Sequence, residues 1–224
     1  MNLQLFNYWI YWFKSTNEHG VHSPFVFDLV TQVIYNNKDY YSYKSIEAIR
    51  ERLLNSGVHL KPLKYGRLLF RLVNYFQPET ILITGESAGI ETAYMAAANS
   101  KTEITVVEPA KDVKVFINES LKSLQLKNVL FCEKLNIPDK RVDFVYLDGG
   151  FGKIALLEQF NMFLKAANDS SVFIISDIYC SSEIKEVWAE IKNHERVRVT
   201  VDLFYMGIVF FRKEQVKEHF VIRF

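Results

Sequence analysis

Cysteine is scarce in this chain. Cys132 and Cys180 are the only two, and no CxxC or Cys/His pairing has the spacing of a zinc site. Two thiols without a framework read as reduced cysteines of a cytoplasmic protein. A charge excess is missing as well: 27 Lys and Arg against 26 Asp and Glu leave a formal net charge of +1. That balance points away from nucleic acid and from an acidic membrane as partners. No apolar run approaches the roughly 18 residues of a membrane span. The opening stretch MNLQLFNYWIYWFKS has neither the basic leader nor the small-residue cleavage site of a secretory signal. Repeats, low-complexity tracts and an obvious linker are absent too. What remains is an ordinary globular composition, 49% hydrophobic and 24% charged. At 224 residues it suffices for one sizeable domain or a core with an appendage.

Aromatic residues are plentiful, at 15%, and many lie in the first third of the chain. Residues 1–77 have a helical texture distinct from the rest, so the chain divides into a helical N-terminal extension, 1–77, and an α/β domain, 78–224. Leu5, Tyr8, Trp9 and Trp12 recur at helical spacing and give one segment a broad aromatic face. Packed over a sheet, or paired between two subunits through Trp9, Trp12 and Phe13, that face would be covered. It lacks the lysine-rich polar side of a helix that lies on a membrane. Ser23 as N-cap with Pro24 as first helical residue starts a second helix. A third runs from Tyr43 to Asn55 and stops at Gly57, and a fourth, YGRLLFRLVNYF, ends before Pro78.

From Thr80 onward apolar strands alternate with helices. TILIT, EITVV, NVLF, VDFVYL and SVFIIS are the strand candidates, with helices at 91–99, 112–124, 154–167 and 182–193. Such alternation implies a doubly wound, mostly parallel sheet covered on both faces. RVRVTVDLF and GIVFFR are separated by almost nothing, which permits only an antiparallel hairpin.

Five of the nine glycines fall at the ends of two of these strands: Gly85 and Gly89 after the first, and Gly149, Gly150 and Gly152 after VDFVYLD. In doubly wound sheets that is where ligands sit, and glycine lets backbone approach them. Glu108 closes the second strand 23 positions after Gly85, where an acid accepts hydrogen bonds from both ribose hydroxyls of a nucleoside. The turn Gly85-Glu86-Ser87-Ala88-Gly89 is neither GxGxxG nor a P-loop, and Glu86 would repel a pyrophosphate. A nicotinamide dinucleotide is therefore disfavoured, and a nucleoside cofactor without phosphates fits better.

On Gly85, Gly89, Glu108 and the closing hairpin VRVTVDLF…GIVFF, residues 78–211 resemble class I S-adenosylmethionine-dependent methyltransferases of the O-methyltransferase branch. NEHGVHSPFVFDLV is likewise similar to the leader of bacterial proteins of this type. The resemblance implies a Rossmann-like fold, S-adenosylmethionine as cofactor and methylation of an oxygen on a small molecule. It places Gly85, Glu86, Ser87, Gly89, Glu108 and Asp148 around the cofactor. The family's acid two residues before the first glycine, which helps hold the methionine end, is Ile83 here; Glu86 is a candidate substitute.

The resemblance also makes the strands ending at Asp148 and Asp177 neighbours, with both carboxylates in one crevice. An oxygen nucleophile must lose its proton before it attacks a sulfonium methyl, and two aspartates can take part directly or hold a magnesium ion that acidifies the hydroxyl. In catechol-type relatives these two positions bind metal together with an asparagine, which is Ile178 here. With the third protein ligand missing, no resident metal is expected. Near Asp148 the only other proton acceptor in GGFGK is Lys153, and Tyr179 is a further candidate. His19, His22, Tyr40, Tyr41 and Tyr43 are candidates to line a substrate lid formed by the leading helices. The rival reading, favoured by Ile83, Ile178 and the GGFG loop, is a degenerate member that binds a nucleoside or a partner without catalysis.

Overall fold

A computed structural model of the chain describes residues 3–85, 89–107, 111–133 and 141–224. The chain forms two compact units, Gln32–Leu135 and Met1–Thr31 with Asn136–Phe224. The helical stretch 1–77 is thus divided between them.

Gln32–Leu135 contains helices α3 (Tyr41–Asn55), α4 (Leu63–Phe76), α5 (Ile90–Ala98) and α6 (Lys111–Ser123), and strands β1 (Thr80–Thr84), β2 (Glu103–Val107) and β3 (Val129–Cys132). The strands pair in parallel in the order β3-β2-β1, with Thr80 opposite Glu103 and Ile104 opposite Val129. β1 carries three consecutive apolar residues, all buried, as a strand covered on both faces requires. Gln77 ends α4 in the left-handed region at φ 47°, and Pro78 follows. α3, α4 and α5 bury Tyr43, Ile46, Ile49, Phe70, Ile90, Ala93 and Tyr94 in one cluster, each large side chain contributing about 1.5–3 kcal/mol on burial. Gly66 makes this packing close, since a Cβ there would lie 2.4 Å from the Tyr94 ring.

In the other unit, α1 (Leu3–Lys14) and α2 (Pro24–Leu29) precede β4 (Val142–Leu147), α7 (Lys153–Ala166), β5 (Ala167–Ser176), α8 (Ser182–Asn193), β6 (Val199–Asp202), β7 (Met206–Phe210) and β8 (Glu218–Val221). Ser23 caps α2 by accepting from Val26 N–H, with Pro24 at its first turn. β4 and β5 are parallel, β5 and β7 antiparallel, and β6 and β7 form the antiparallel hairpin. β5 starts earlier than its apolar run, because Ala167 pairs with Val142 ahead of a register shift. β8 was not legible. EHFV has no alternating or continuous apolar signal, and it becomes a strand by pairing in parallel with β6, while Thr16 bridges to Ile222.

α1 corrects one expectation. Its buried residues are Asn7 and Tyr11, and the Tyr11 hydroxyl donates to the Ile222 carbonyl and accepts from Phe224 N–H. Of the aromatic stripe, Tyr8 packs edge-on against Phe204 and Trp12 lies under Arg223, while Trp9 and Phe13 face outward, 53% and 75% exposed. The covered side packs Tyr8 and Tyr11 on Phe204 and adds the hydroxyl anchor of Tyr11 to the C-terminal strand region. No described helix is long and apolar enough to cross a membrane.

Candidate functional site

Gly85, at the carboxyl end of β1, has φ 140°, and Gly89, ahead of α5, has φ 73°. Both are in the region that favours glycine. Gly89 is also constrained by packing: a Cβ there would lie 2.3 Å from Ile117 Cγ1 on α6. Space for a ligand is therefore not what requires glycine at this position. Glu86, Ser87 and Glu108 lie outside the described residues. Ile83 is 3% exposed, an ordinary core side chain.

Two residues here escaped the sequence reading. Glu91, in the first turn of α5, has its carboxylate buried, with Oε1 3.8 Å from Lys61 Nζ. Its other oxygen has no hydrogen-bond partner among the described residues.

β4 and β5 run in parallel as neighbours and deliver Asp148 and Asp177 from adjacent strand ends, as expected. Both carboxylates converge on a residue the sequence did not single out. Ser176 Oγ is 3.1 Å from Asp148 Oδ1 and 3.2 Å from Asp177 Oδ2. A hydroxyl has one hydrogen, so it donates to one carboxylate at a time. The sequence signal was slight: a serine at the end of an apolar strand, beside an aspartate.

The local fold fixes both acids. Asp148 caps the 3-10 turn Gly149–Phe151 by accepting from Gly150 N–H at 3.0 Å. Gly149 permits that turn to press on β5, because a Cβ there would lie 2.4 Å from the Ser176 carbonyl. The GGFG loop is thus a packing requirement at Gly149. Asp177 sits at φ 56°, with its N–H donating to the Tyr205 carbonyl at 2.7 Å. Aspartate tolerates that backbone better than most residues. Ile178, the position that the resemblance would make a third metal ligand, is fully buried. Among the described residues no group of three or more His, Cys, Asp or Glu is placed to hold a metal ion.

The other candidates have different work. Tyr179 donates to Oδ2 of Asp202 at 2.6 Å and stacks on Phe204. Burial, then the Asp202 charge, raises its pKa well above the usual tyrosine value, which is the wrong direction for a base. Lys153 pairs with Glu186 at 2.9 Å, and that bond raises its pKa too. Tyr43 belongs to the α3–α4–α5 core, while His19 and Tyr41 are exposed.

Asp202 is buried, and burial raises its carboxyl pKa despite donation from Tyr179 and from Phe204 N–H. Between the ordinary value of 3.8 and the raised folded value, the native state holds more protons. Stability therefore falls as pH rises through that window. Tyr179→Phe removes a donor to this carboxylate and should cost about 1–3 kcal/mol. Urea unfolding checks this, and a variant as stable as the wild type would rule it out.

No family model matches the chain, and no curated protein matches it in sequence. Solved structures do match. An O-methyltransferase from Bacillus cereus in complex with SAH is 17% identical, covers 82% of this chain and 96% of its own, and gives a TM-score of 0.58. An O-methyltransferase from Streptomyces achromogenes in complex with SAM is 15% identical over 83% of this chain and 94% of its own, with a TM-score of 0.59. An SAH-bound methyltransferase from Podospora anserina is 12% identical over 85% of this chain and 97% of its own, with a TM-score of 0.64. At such identities the likeness carries the fold. The chain has the Rossmann-like methyltransferase fold, a doubly wound, mostly parallel α/β architecture with antiparallel strands near the C-terminus.

Proposed function

We propose that this protein is an S-adenosylmethionine-dependent methyltransferase acting on an oxygen of a small molecule. The observation that carries the chemistry is the convergence of Asp148 and Asp177 on Ser176 at adjacent strand ends. It occurs in a fold whose solved examples include proteins crystallised with SAM and SAH. Positive φ at Gly85 and Gly89 and the unpaired oxygen of Glu91 are compatible with such a cofactor. Gly85, Glu86, Ser87, Gly89, Glu108 and Asp148 are the residues proposed to hold it, with Glu108 on the ribose hydroxyls. When bound, the cofactor supplies an electrophilic methyl group.

Asp148 and Asp177 then have two tasks. They accept hydrogen bonds from the acceptor hydroxyl, which orients its oxygen, and they draw its proton away. Ser176 links them, so a shift of its hydrogen from one carboxylate to the other changes which is the stronger acceptor. Tyr179 is engaged by Asp202 and Phe204 and is given no step. A resident metal is not part of the mechanism, because two carboxylates hold magnesium weakly without further oxygens from an acceptor.

Calorimetric titration with S-adenosylmethionine and S-adenosylhomocysteine tests the reading. Saturable binding is expected, weakened in Glu108→Ala by about 1.5–3 kcal/mol, the range for hydrogen bonds to a charged group. No binding of either compound would favour the degenerate alternative. A cytoplasmic location, a lid role for the leading helices and the absence of nucleic-acid partners belong to the same reading. So does pairing of two copies through the exposed Trp9, Trp12 and Phe13 face, which sedimentation equilibrium checks.

A further inference from the structure

Glu91 is a costly residue for its place. Its side chain is 8% exposed, and Lys61, itself 15% exposed, lies 3.8 Å away. That separation gives ion pairing without a hydrogen bond. Oε2 is buried with no hydrogen-bond partner among the described residues. A buried carboxylate oxygen left unpaired costs stability, and each such group in a native structure asks for a reason. Support from the α5 dipole accounts for an acid in a first turn, but a solvated acid would serve that purpose as well. Packing does not account for it either, since an apolar residue would fill the same space without the cost.

The pair has the chemistry of a receptor for a zwitterion. It has one carboxylate oxygen in need of a donor, just after Gly89, with the Lys61 ammonium 3.8 Å from the other oxygen. The complementary group is an α-amino acid, whose ammonium carries three donors and whose carboxylate seeks a cation. At Ile83, where an acid is expected to hold such an end, the side chain is apolar and buried.

We propose that Glu91 replaces that acid. It accepts the α-ammonium of the cofactor's methionyl end through Oε2. The assignment rests on the cofactor reading above and adds to it the residue that holds the amino-acid end.

The test is calorimetric titration with two ligands: S-adenosylhomocysteine, and 5′-methylthioadenosine, which keeps the nucleoside and lacks the amino-acid end. Glu91→Gln is expected to weaken S-adenosylhomocysteine by about 10- to 100-fold and to leave 5′-methylthioadenosine unchanged. The unliganded melting temperature should not fall, because the substitution removes an incompletely paired charge. Glu91→Asp, which keeps the charge but withdraws it by one methylene, should show the same selective loss and serves if the glutamine variant folds poorly. Unchanged S-adenosylhomocysteine affinity in both variants overturns the assignment and leaves the cofactor reading standing. Equal weakening of both ligands overturns it too, by showing a structural role. Failure of the wild type to bind either ligand would instead remove the cofactor reading and this assignment with it.

Discussion

Asp177→Asn is expected to slow methyl transfer by about 10²–10⁴-fold, the usual worth of a positioned proton acceptor, while S-adenosylhomocysteine binds as before. The substitution is chosen for its backbone. Asp177 sits at φ 56°, where asparagine is among the few side chains at ease, and its amide oxygen can still accept from Ser176. A loss of rate then reports on the charge. Two further readouts separate that role from a structural one: kcat should fall while the melting temperature stays at the wild-type value. Asp148→Asn should also slow the transfer if the two carboxylates act as a coupled pair, with effects on rate that do not add when combined. It should weaken the cofactor as well, because Asp148 is one of the residues proposed to hold it. Ser176→Ala should have a smaller effect, because it removes the link but neither acceptor. Full activity in both asparagine variants would take the pair out of the mechanism.

The second large effect is on stability. Gly89→Ala is expected to destabilise the protein by about 2–5 kcal/mol. Roughly 1–2 kcal/mol comes from placing a Cβ at positive φ and about 1–3 kcal/mol from overpacking. The position is at φ 73°, and the new methyl would meet Ile117 Cγ1 at 2.3 Å. Against a typical total of about 5–15 kcal/mol, that is a large fraction. Thermal unfolding of the unliganded protein measures it. Gly89→Ala combined with Ile117→Ala should recover the packing share relative to Ile117→Ala alone and retain the backbone share. A Gly89→Ala variant that melts with the wild type would show that the turn relaxes without cost. Because Gly89 is required by the fold, loss of cofactor binding in its variants says little about a ligand. Glu108 and Glu91 carry that question.

The strands of the parallel core were legible because a strand covered on both faces must be apolar along its whole length. TILIT, EITVV and VDFVYL are such runs, and they became β1, β2 and β4 over the same residues. Local chemistry also revealed the Ser23–Pro24 helix start and the β6–β7 hairpin, since a cap and a short connection depend on near neighbours alone. β8 was missed for the converse reason. Glu218 and His219 are exposed, and the strand exists through its partner β6.

The acids show the same division. By itself the sequence determined that Asp148 and Asp177 end strands and that glycines follow Asp148, because residue type and order suffice for both. Only the tertiary structure decided that Ser176 joins the two carboxylates, that Tyr179 is engaged by Asp202, that Gly89 answers to Ile117 and that α1 turns Tyr11 rather than its tryptophans inward. Each of those depends on a partner many residues away, Ile222 being 211 positions from Tyr11. Periodicity reports which side of an element is apolar. Which polar groups meet across elements is set by strand order and register, and that leaves no local trace in the sequence.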